Sequence, residues 1–388
     1  MTVIRGHIIR LDPNNQQATY FKKACGVARL AYNWALAQWQ KQYEADKNYR
    51  DKCLKLGIAI DESKLYKPSQ GKLRKQLNSI KRKQFPFMLE VTKCSPQLAI
   101  MQLGDAFKRF FKGESSYPQF RKKGVNDRFS LSNDQFKLKL KKDKPHIQIP
   151  NLGLVRMTEK LRFDGKILSA KIFTKGEKWF VSIAVELVDV ILPKAKTGKE
   201  VGLDLGITDL ATLSDGTKIQ APKPLKTKLK KLQRLSKQLS RKQKGSNNRT
   251  KAKTKLSRLH YQIRCIRQDF LHKLTSKLVQ QYDTIAIEDL NVKGMVKNRK
   301  LARSINDLGF YELKRQLIYK ANQFGKTIKS VDRFFASSKT CSCCGQKVET
   351  LPLSVRKWIC AHCNTTHDRD INASINILNH ATKVLTIT

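Results

Sequence analysis

The run Val3-Ile-Arg-Gly-His-Ile-Ile-Arg-Leu11 reads as a strand, and Asp12-Pro13-Asn14-Asn15 stops it. The apolar spacing then lengthens to three and four. Phe21, Cys25, Ala28, Tyr32, Leu36 and Trp39 predict one face of a helix through about residue 45. Residues 50–83 read as helical, basic and weakly patterned. Ile100, Leu103, Phe107, Phe110 and Phe111 form the stripe of another helix near 96–112, which Tyr117-Pro118 breaks. From about 128 to 190 the period falls to two, along Phe136–Leu140 and Trp179–Val185, with turns at Asp164-Gly165 and Lys175-Gly176-Glu177. Strand 3–11 has no partner nearby, so the later strands are its expected neighbours. A small β-barrel at 1–13 and 128–195, interrupted by a helical insertion at 14–127, is expected.

A Lys-rich linker at 195–200 leads into a second unit. Strands at 201–207, 210–214 and 217–220, the last two joined by the Asp215-Gly216 turn, predict an antiparallel meander. Leu225, Leu229, Leu232, Leu235 and Leu239 mark one helix; Leu256, Leu259, Ile263, Ile266 and Phe270 mark its partner across a turn at 244–248. A further strand is expected at Thr284–Ile287 and a helix at 371–379. The fold class is therefore α/β and multi-domain, which 388 residues allow.

Charge narrows the partners. The chain has 78 Lys and Arg against 31 Asp and Glu, a formal net charge of +47. An enzyme of small metabolites has no use for such self-repulsion, which a bound polyanion would relieve. Apolar residues make up 40%, enough for a packed core rather than wholesale disorder. With no run of about 18 apolar residues, no signal-peptide pattern and no lipidation motif, nucleic acid is the expected polyanion and no membrane partner is. Residues 223–258 concentrate 15 Lys and Arg with no acid, the composition of a phosphate-facing surface rather than of an ordinary solvated face.

Five of the nine cysteines fall within 341–363. Clustered pairs in a large chain indicate metal ligands in a reducing compartment, so a cytoplasmic location is expected. Cys25, Cys53, Cys94 and Cys265 are scattered and read as small hydrophobes. Cys341-x2-Cys344-x15-Cys360-x2-Cys363 has the spacing of a four-thiolate zinc ribbon. Gly345 and Asn364 follow the second cysteine of each pair, where a knuckle needs left-handed backbone. Cys341 is paired with Cys344 because that choice keeps the two-residue spacer, which leaves Cys343 a free thiol. His362 and His367 are the alternative ligands. Four thiolates close a site, so one structural Zn²⁺ is expected, folding the segment that follows.

Three distant segments each deliver an acid: Asp204 within Val201-Gly-Leu-Asp-Leu-Gly206, Glu288 within Ile285-Ala-Ile-Glu-Asp-Leu290, and Asp370 within His367-Asp-Arg-Asp-Ile-Asn372. A carboxylate in an apolar strand is costly unless it is paired or metal-bound. Leu203 and Leu205 would face away from Asp204, and Gly202 and Gly206 would leave room for a substrate backbone. Acids from two strand ends and a helix start could converge on two Mg²⁺ ions about 3.5–4 Å apart, the arrangement of two-metal phosphodiester hydrolysis. Asp209, Asp289 and Asp368 compete for the same roles, and spacing alone leaves the choice open.

The chain resembles the TnpB family, transposon-encoded RuvC-like nucleases related to type V CRISPR effectors. The resemblance rests on ordered blocks along nearly the whole length: Arg29-x2-Tyr32-Asn33-Trp34, Gly202-Leu-Asp204-Leu-Gly206-Ile, Ser240-Arg-Lys-x2-Gly245-Ser-Asn-Asn248, Arg267-x-Asp269-Phe-Leu-His272-Lys273, Ile287-Glu288-Asp-Leu-Asn291, Ser337-Ser-Lys-Thr-Cys341-Ser-x-Cys344-Gly345, and His367-Asp-Arg-Asp370-x-Asn372-Ala. It implies that Asp204, Glu288 and Asp370 are the catalytic, magnesium-binding triad of an RNase H-like (RuvC) domain at 196–335 and 364–388. That domain would carry a basic hairpin at 223–280 and an inserted zinc ribbon at 336–363. The barrel would be a wedge and residues 14–127 a recognition lobe. The implied activity is RNA-guided cleavage of double-stranded DNA beside a short adjacent motif, with a guide RNA transcribed from the transposon end. A guide-free RNase H-like resolvase of structured transposon DNA would use the same acids. A non-cleaving zinc-ribbon regulator would not need them.

Overall fold

In the computed structural model, residues 2–188 and 197–383 are described; the expectations for 189–196, the end of the barrel and the start of the linker, and for 384–388 fall outside them. The chain divides into two compact units, Met1–Val190 and Ile191–Thr388. The first unit opens with β1 (Val3–Asp12), α1 (Asn15–Lys55), α2 (Gln70–Gln84) and α3 (Cys94–Phe111). Six strands follow: β2 (Arg128–Ser132), β3 (Lys137–Lys141), β4 (Lys144–Ile149), β5 (Gly153–Met157), β6 (Lys166–Lys175) and β7 (Lys178–Leu187).

Strand β1 finds its partner far along the chain. It runs antiparallel to β7 from Val3↔Leu187 to Leu11↔Trp179 and meets β5 at its far end. One seven-stranded sheet, ordered β2-β6-β7-β1-β5-β4-β3, results. The expected barrel is corrected here, because no ladder joins the end strands β2 and β3 among the described residues. Alternation along β1 buries His7, Ile9 and Leu11 and leaves Ile4 and Ile8 exposed.

Helix α1 starts on a capping box in which Asn14 accepts from the Gln17 N–H and Gln17 reaches back, a device worth about 1 kcal/mol. Phe21, Cys25, Ala28, Tyr32 and Leu36 are buried, as their spacing predicts. The helix continues ten residues beyond the expected end at 45. Its last turns are polar but free of breakers until Gly57, which adopts φ +63°. The Arg29–Trp34 block holds the segment before β2. Arg29 pairs with Asp127 at 3.0 Å, Arg121 stacks over the Tyr32 ring at 3.7 Å, and Asn33 exchanges two hydrogen bonds with the Arg121 backbone.

The second unit contains β8 (Glu200–Asp204), β9 (Ala211–Leu213), β10 (Lys218–Ile219), α4 (Pro224–Ser240), α5 (Asn247–Gln281), β11 (Thr284–Glu288) and α6 (Val292–Met295). It continues with α7 (Ala302–Leu308), α8 (Phe310–Phe324), β12 (Thr327–Val331), β13 (Lys357–Ile359), β14 (Thr366–Asp368) and α9 (Arg369–Lys383). Its main sheet is ordered β10-β9-β8-β11-β12. Strands β8, β11 and β12 are parallel, while on the other edge β9 runs antiparallel to β8 and β10 antiparallel to β9. Strand β8 stops at Asp204, shorter than expected, because Gly206 turns to donate to the Leu210 carbonyl.

The basic hairpin forms across Gly245 (φ +87°) and the Ser246 cap, and Arg249 ties the turn by donating to the Leu239 and Lys242 carbonyls. Buried Asp307 fastens the start of α4 by accepting from the Leu225 and Lys226 N–H groups at 2.9 Å, with Arg267 3.6 Å away. Among the described residues no helix is long and apolar enough to cross a membrane.

Candidate active site

The parallel register Thr284↔Glu200 to Ile287↔Leu203, continued one step, sets Glu288 beside Asp204 at the carboxyl ends of β11 and β8. Crevices beyond such strand ends are where ligands bind in open α/β sheets. Leu203 is fully buried and Leu205 packs against the same core, on the face Asp204 avoids. Helix α9 brings the third acid. A Cβ on Gly202 would lie 2.0 Å from the Ser374 carbonyl oxygen, so β8 and α9 meet backbone to backbone there. Two residues up the strand (about 7 Å) and four residues back along the helix (about 6 Å) bring Asp204 and Asp370 to the same end.

The expectation that Gly202 makes room for substrate is therefore wrong; it makes room for α9. Sequence alone cannot separate these uses, since both demand the absence of a side chain. Gly206 likewise lies against the Asp209 carbonyl of its own loop.

Electrostatics report the convergence. Burial, then the Glu288 and Asp370 carboxylates, push the Asp204 carboxyl up to about 7, against smaller opposing effects of Arg369 and Arg356. Ser337 donates to Glu288 Oε1 at 2.6 Å, and Arg356 donates to Asp370 Oδ1 at 3.3 Å. Two of the competing acids are engaged elsewhere. Asp289 is held below the usual carboxylate range by Lys314 and Arg333. Asp368 pairs with Lys218 at 2.7 Å and caps α9 by accepting from the Asp370 and Ile371 N–H groups.

Among the described residues, one group of possible metal ligands has its donor atoms within 4.8 Å of one another: Cys341, Cys344, Cys360 and Cys363. The three acids are not gathered that closely. The Cys341–Cys363 and Cys344–Cys360 sulfurs lie 3.6 and 3.7 Å apart. Thiolates about 2.3 Å from a tetrahedral zinc would stand about 3.8 Å from each other, so the set fits that ion. The two knuckles share one backbone pattern. The Gly345 and Asn364 N–H groups donate to the Cys341 and Cys360 carbonyls at 2.9 Å, and both residues have positive φ, as expected from the sequence. Cys343 is exposed and outside the cluster. His362 is not part of it either; His367 stays outside the four but sets Nε2 3.0 Å from the Cys341 sulfur, while its ring packs on Trp358.

Sequence reasoning missed how the cysteine unit is fastened to the acids. Asn372 and Asn376, one turn apart on α9 and 1% and 6% exposed, both donate to the Thr340 carbonyl. Asn376 also donates to the Ser337 carbonyl, and Asn372 accepts from the Ser342 N–H. Asn372 and Ser337 stand in the motif blocks, but spacing gives no sign that they meet.

Family models match three stretches: "Probable transposase" at 182–299, "Cas12f1-like, TNB domain" at 310–377 and "Helix-turn-helix domain" at 1–48. The last stretch holds β1 and most of α1, one strand and one helix. A relative from Streptomyces pristinaespiralis named "Putative RNA-guided DNA endonuclease" is 36% identical over 97% of this chain and 89% of its own. Another, from Escherichia coli K12 and named "Putative RNA-guided DNA endonuclease InsQ", is 33% identical over 95% of this chain and 90% of its own. A chain in the "Cryo-EM structure of the Cas12f1-sgRNA-target DNA complex" shares the fold, with a TM-score of 0.58 at 13% identity over 94% of this chain and 83% of that one.

Proposed function

We propose that this chain, which belongs to the TnpB/OrfB transposase family, is an RNA-guided DNA endonuclease that cuts double-stranded DNA at one site made by Asp204, Glu288 and Asp370. What supports the site is the geometry that sets Glu288 beside Asp204 on paired strands and brings Asp370 to the same end on α9, with the Asp204 carboxyl raised by burial and by both other acids; such oxygen donors suit a divalent cation. The donor set suits Mg²⁺. When bound, Mg²⁺ would supply water activation and neutralisation of charge at the scissile phosphate. The chain's own part is placement: Asp204 and Glu288 sit on paired strands, Asp370 sits in the first turn of α9, and Ser337 fixes one oxygen of Glu288.

The five-strand order with its parallel and antiparallel halves supports an RNase H-like (RuvC) reading of the second unit. In the proposed division this domain covers 196–335 and 364–388, with the zinc ribbon at 336–363. A wedge at 1–13 and 128–195 and a recognition lobe at 14–127 complete it. The charge of +47 supports retention of a guide RNA together with target DNA, and cutting beside a short adjacent motif follows the same reading. A guide-free resolvase on this fold would share the acids but has no need of a large first unit.

The test is to purify the Asp204→Ala chain from cells carrying its native flanking DNA and to sequence the RNA that comes with it. One dominant species ending in sequence from beyond the element is expected. The parent protein should then cut DNA matching that end with Mg²⁺, and the variant should not. A mixture resembling total cell RNA would favour the guide-free enzyme, and undiminished cutting by Asp204→Ala would refute the site.

A further inference from the structure

The hydrogen bond from Ser337 to Glu288 joins two parts of the second unit that the sequence keeps apart. Ser337 is 7% exposed, lies four residues before the first zinc-site cysteine, and aims its hydroxyl at Glu288 Oε1, 2.6 Å away. Its backbone is not free to drift. Asn376 holds its carbonyl at 2.8 Å, and the Thr340 carbonyl is held by Asn372 at 2.8 Å and Asn376 at 2.6 Å. The Ser342 N–H closes the clamp on Asn372 Oδ1 at 2.9 Å. The stretch from 337 to 342 is thus bolted to α9, the helix that carries Asp370, while its leading residue touches the acid on β11.

We infer that Ser337 is the positioning residue for Glu288, and that the four-cysteine unit aligns the acidic site through it. This rests on the acidic-site reading above. A serine hydroxyl has one proton to give, and donating it to Oε1 restrains the carboxylate about its terminal bond while Oε2 keeps its lone pairs for another partner. Groups that orient metal-binding carboxylates typically change metal affinity 10–100-fold when removed. Cysteine unit, clamp and acid then act in series: thiolates closed on zinc order the knuckle, the asparagines dock it on α9, and the hydroxyl sets the acid.

The probe is Mn²⁺ binding to the full-length chain, followed by the electron paramagnetic resonance signal of the free ion. Zinc content and melting temperature are measured alongside. Ser337→Ala is expected to keep its zinc and to bind Mn²⁺ about tenfold more weakly, with Ser337→Thr, which retains the hydroxyl, recovering most of the loss. In a Glu288→Gln background the same Ser337→Ala change should cost nothing further, as a double-mutant cycle requires of a residue acting through another. Parent-like Mn²⁺ affinity in Ser337→Ala would overturn the inference. So would an equal loss in both backgrounds, which is the signature of general damage if the variant folds poorly. Asp204→Ala separates this failure from a deeper one: if it too leaves Mn²⁺ affinity untouched, the acidic site itself is refuted.

Discussion

At the scale of single residues, Asp204 carries the clearest energetic signature. Its folded carboxyl titrates near 7, against an ordinary value of 3.8, because burial and two facing acids oppose its charge. Folding therefore binds a proton that the unfolded chain releases at lower pH. The metal-free protein should lose stability as pH rises from about 4 to about 7, and no more beyond that. Asp204→Asn removes the charge at nearly constant shape. It should raise the melting temperature of the metal-free protein at pH 8, by an amount reflecting a few kcal/mol, and change little at pH 4. Equal melting at pH 8 would mean that neither burial nor the facing acids oppose the Asp204 charge. Asp204, Glu288 and Asp370 were legible as candidates because each stands in a distinctive local setting. Ser337 and Arg356 were not legible as their neighbours, since their partners lie 49 and 14 residues away and nothing local announces the contact.

At the scale of elements, legibility followed the range of the cause. The cysteine unit depends on spacing within a few residues, and its knuckles, free Cys343 and left-handed Gly345 and Asn364 were all readable. The buried stripe of α1 was readable too, whereas its far end was not, since intrinsic propensity carries a helix past the point where its apolar pattern fades. The junction of β8 with α9 lies beyond periodicity altogether. Gly202 is the residue that lets them touch, and a Cβ there would stand 2.0 Å from one backbone atom and 2.9 Å from another. No flexible side chain can yield, so Gly202→Ala must push α9 away. Destabilisation of about 2–4 kcal/mol is expected, at the upper end for overpacking. Because α9 carries Asp370, cleavage should fall at temperatures where the variant is still folded. Thermal melting and a cleavage assay on one preparation check this, and a variant that melts and cuts like the parent would show that the contact is not tight.

At the scale of the whole molecule, the excess of 47 positive charges says that a polyanion is part of the working protein, and the hairpin of α4 and α5 is where that excess is least balanced. The α4 leucines are half-buried along the seam while Lys230, Lys231 and Arg234 are exposed. An exposed cationic face can serve solubility or phosphate contact, and salt dependence tells these apart. A protein that neutralises about 6–10 phosphates loses roughly 10³–10⁵ in affinity between 50 and 200 mM salt, and each lost contact lowers the logarithmic slope by about 0.9. Parent chain freed of RNA should show a slope of that order on duplex DNA of arbitrary sequence. Replacing Lys230, Lys231 and Arg234 by alanine should reduce it by about 2–3 while leaving zinc content and melting temperature unchanged. Titrations at four or five salt concentrations give both slopes directly. An unchanged slope would return the hairpin to a solvated surface over an apolar seam and move the phosphate contacts to the remaining cations of the chain.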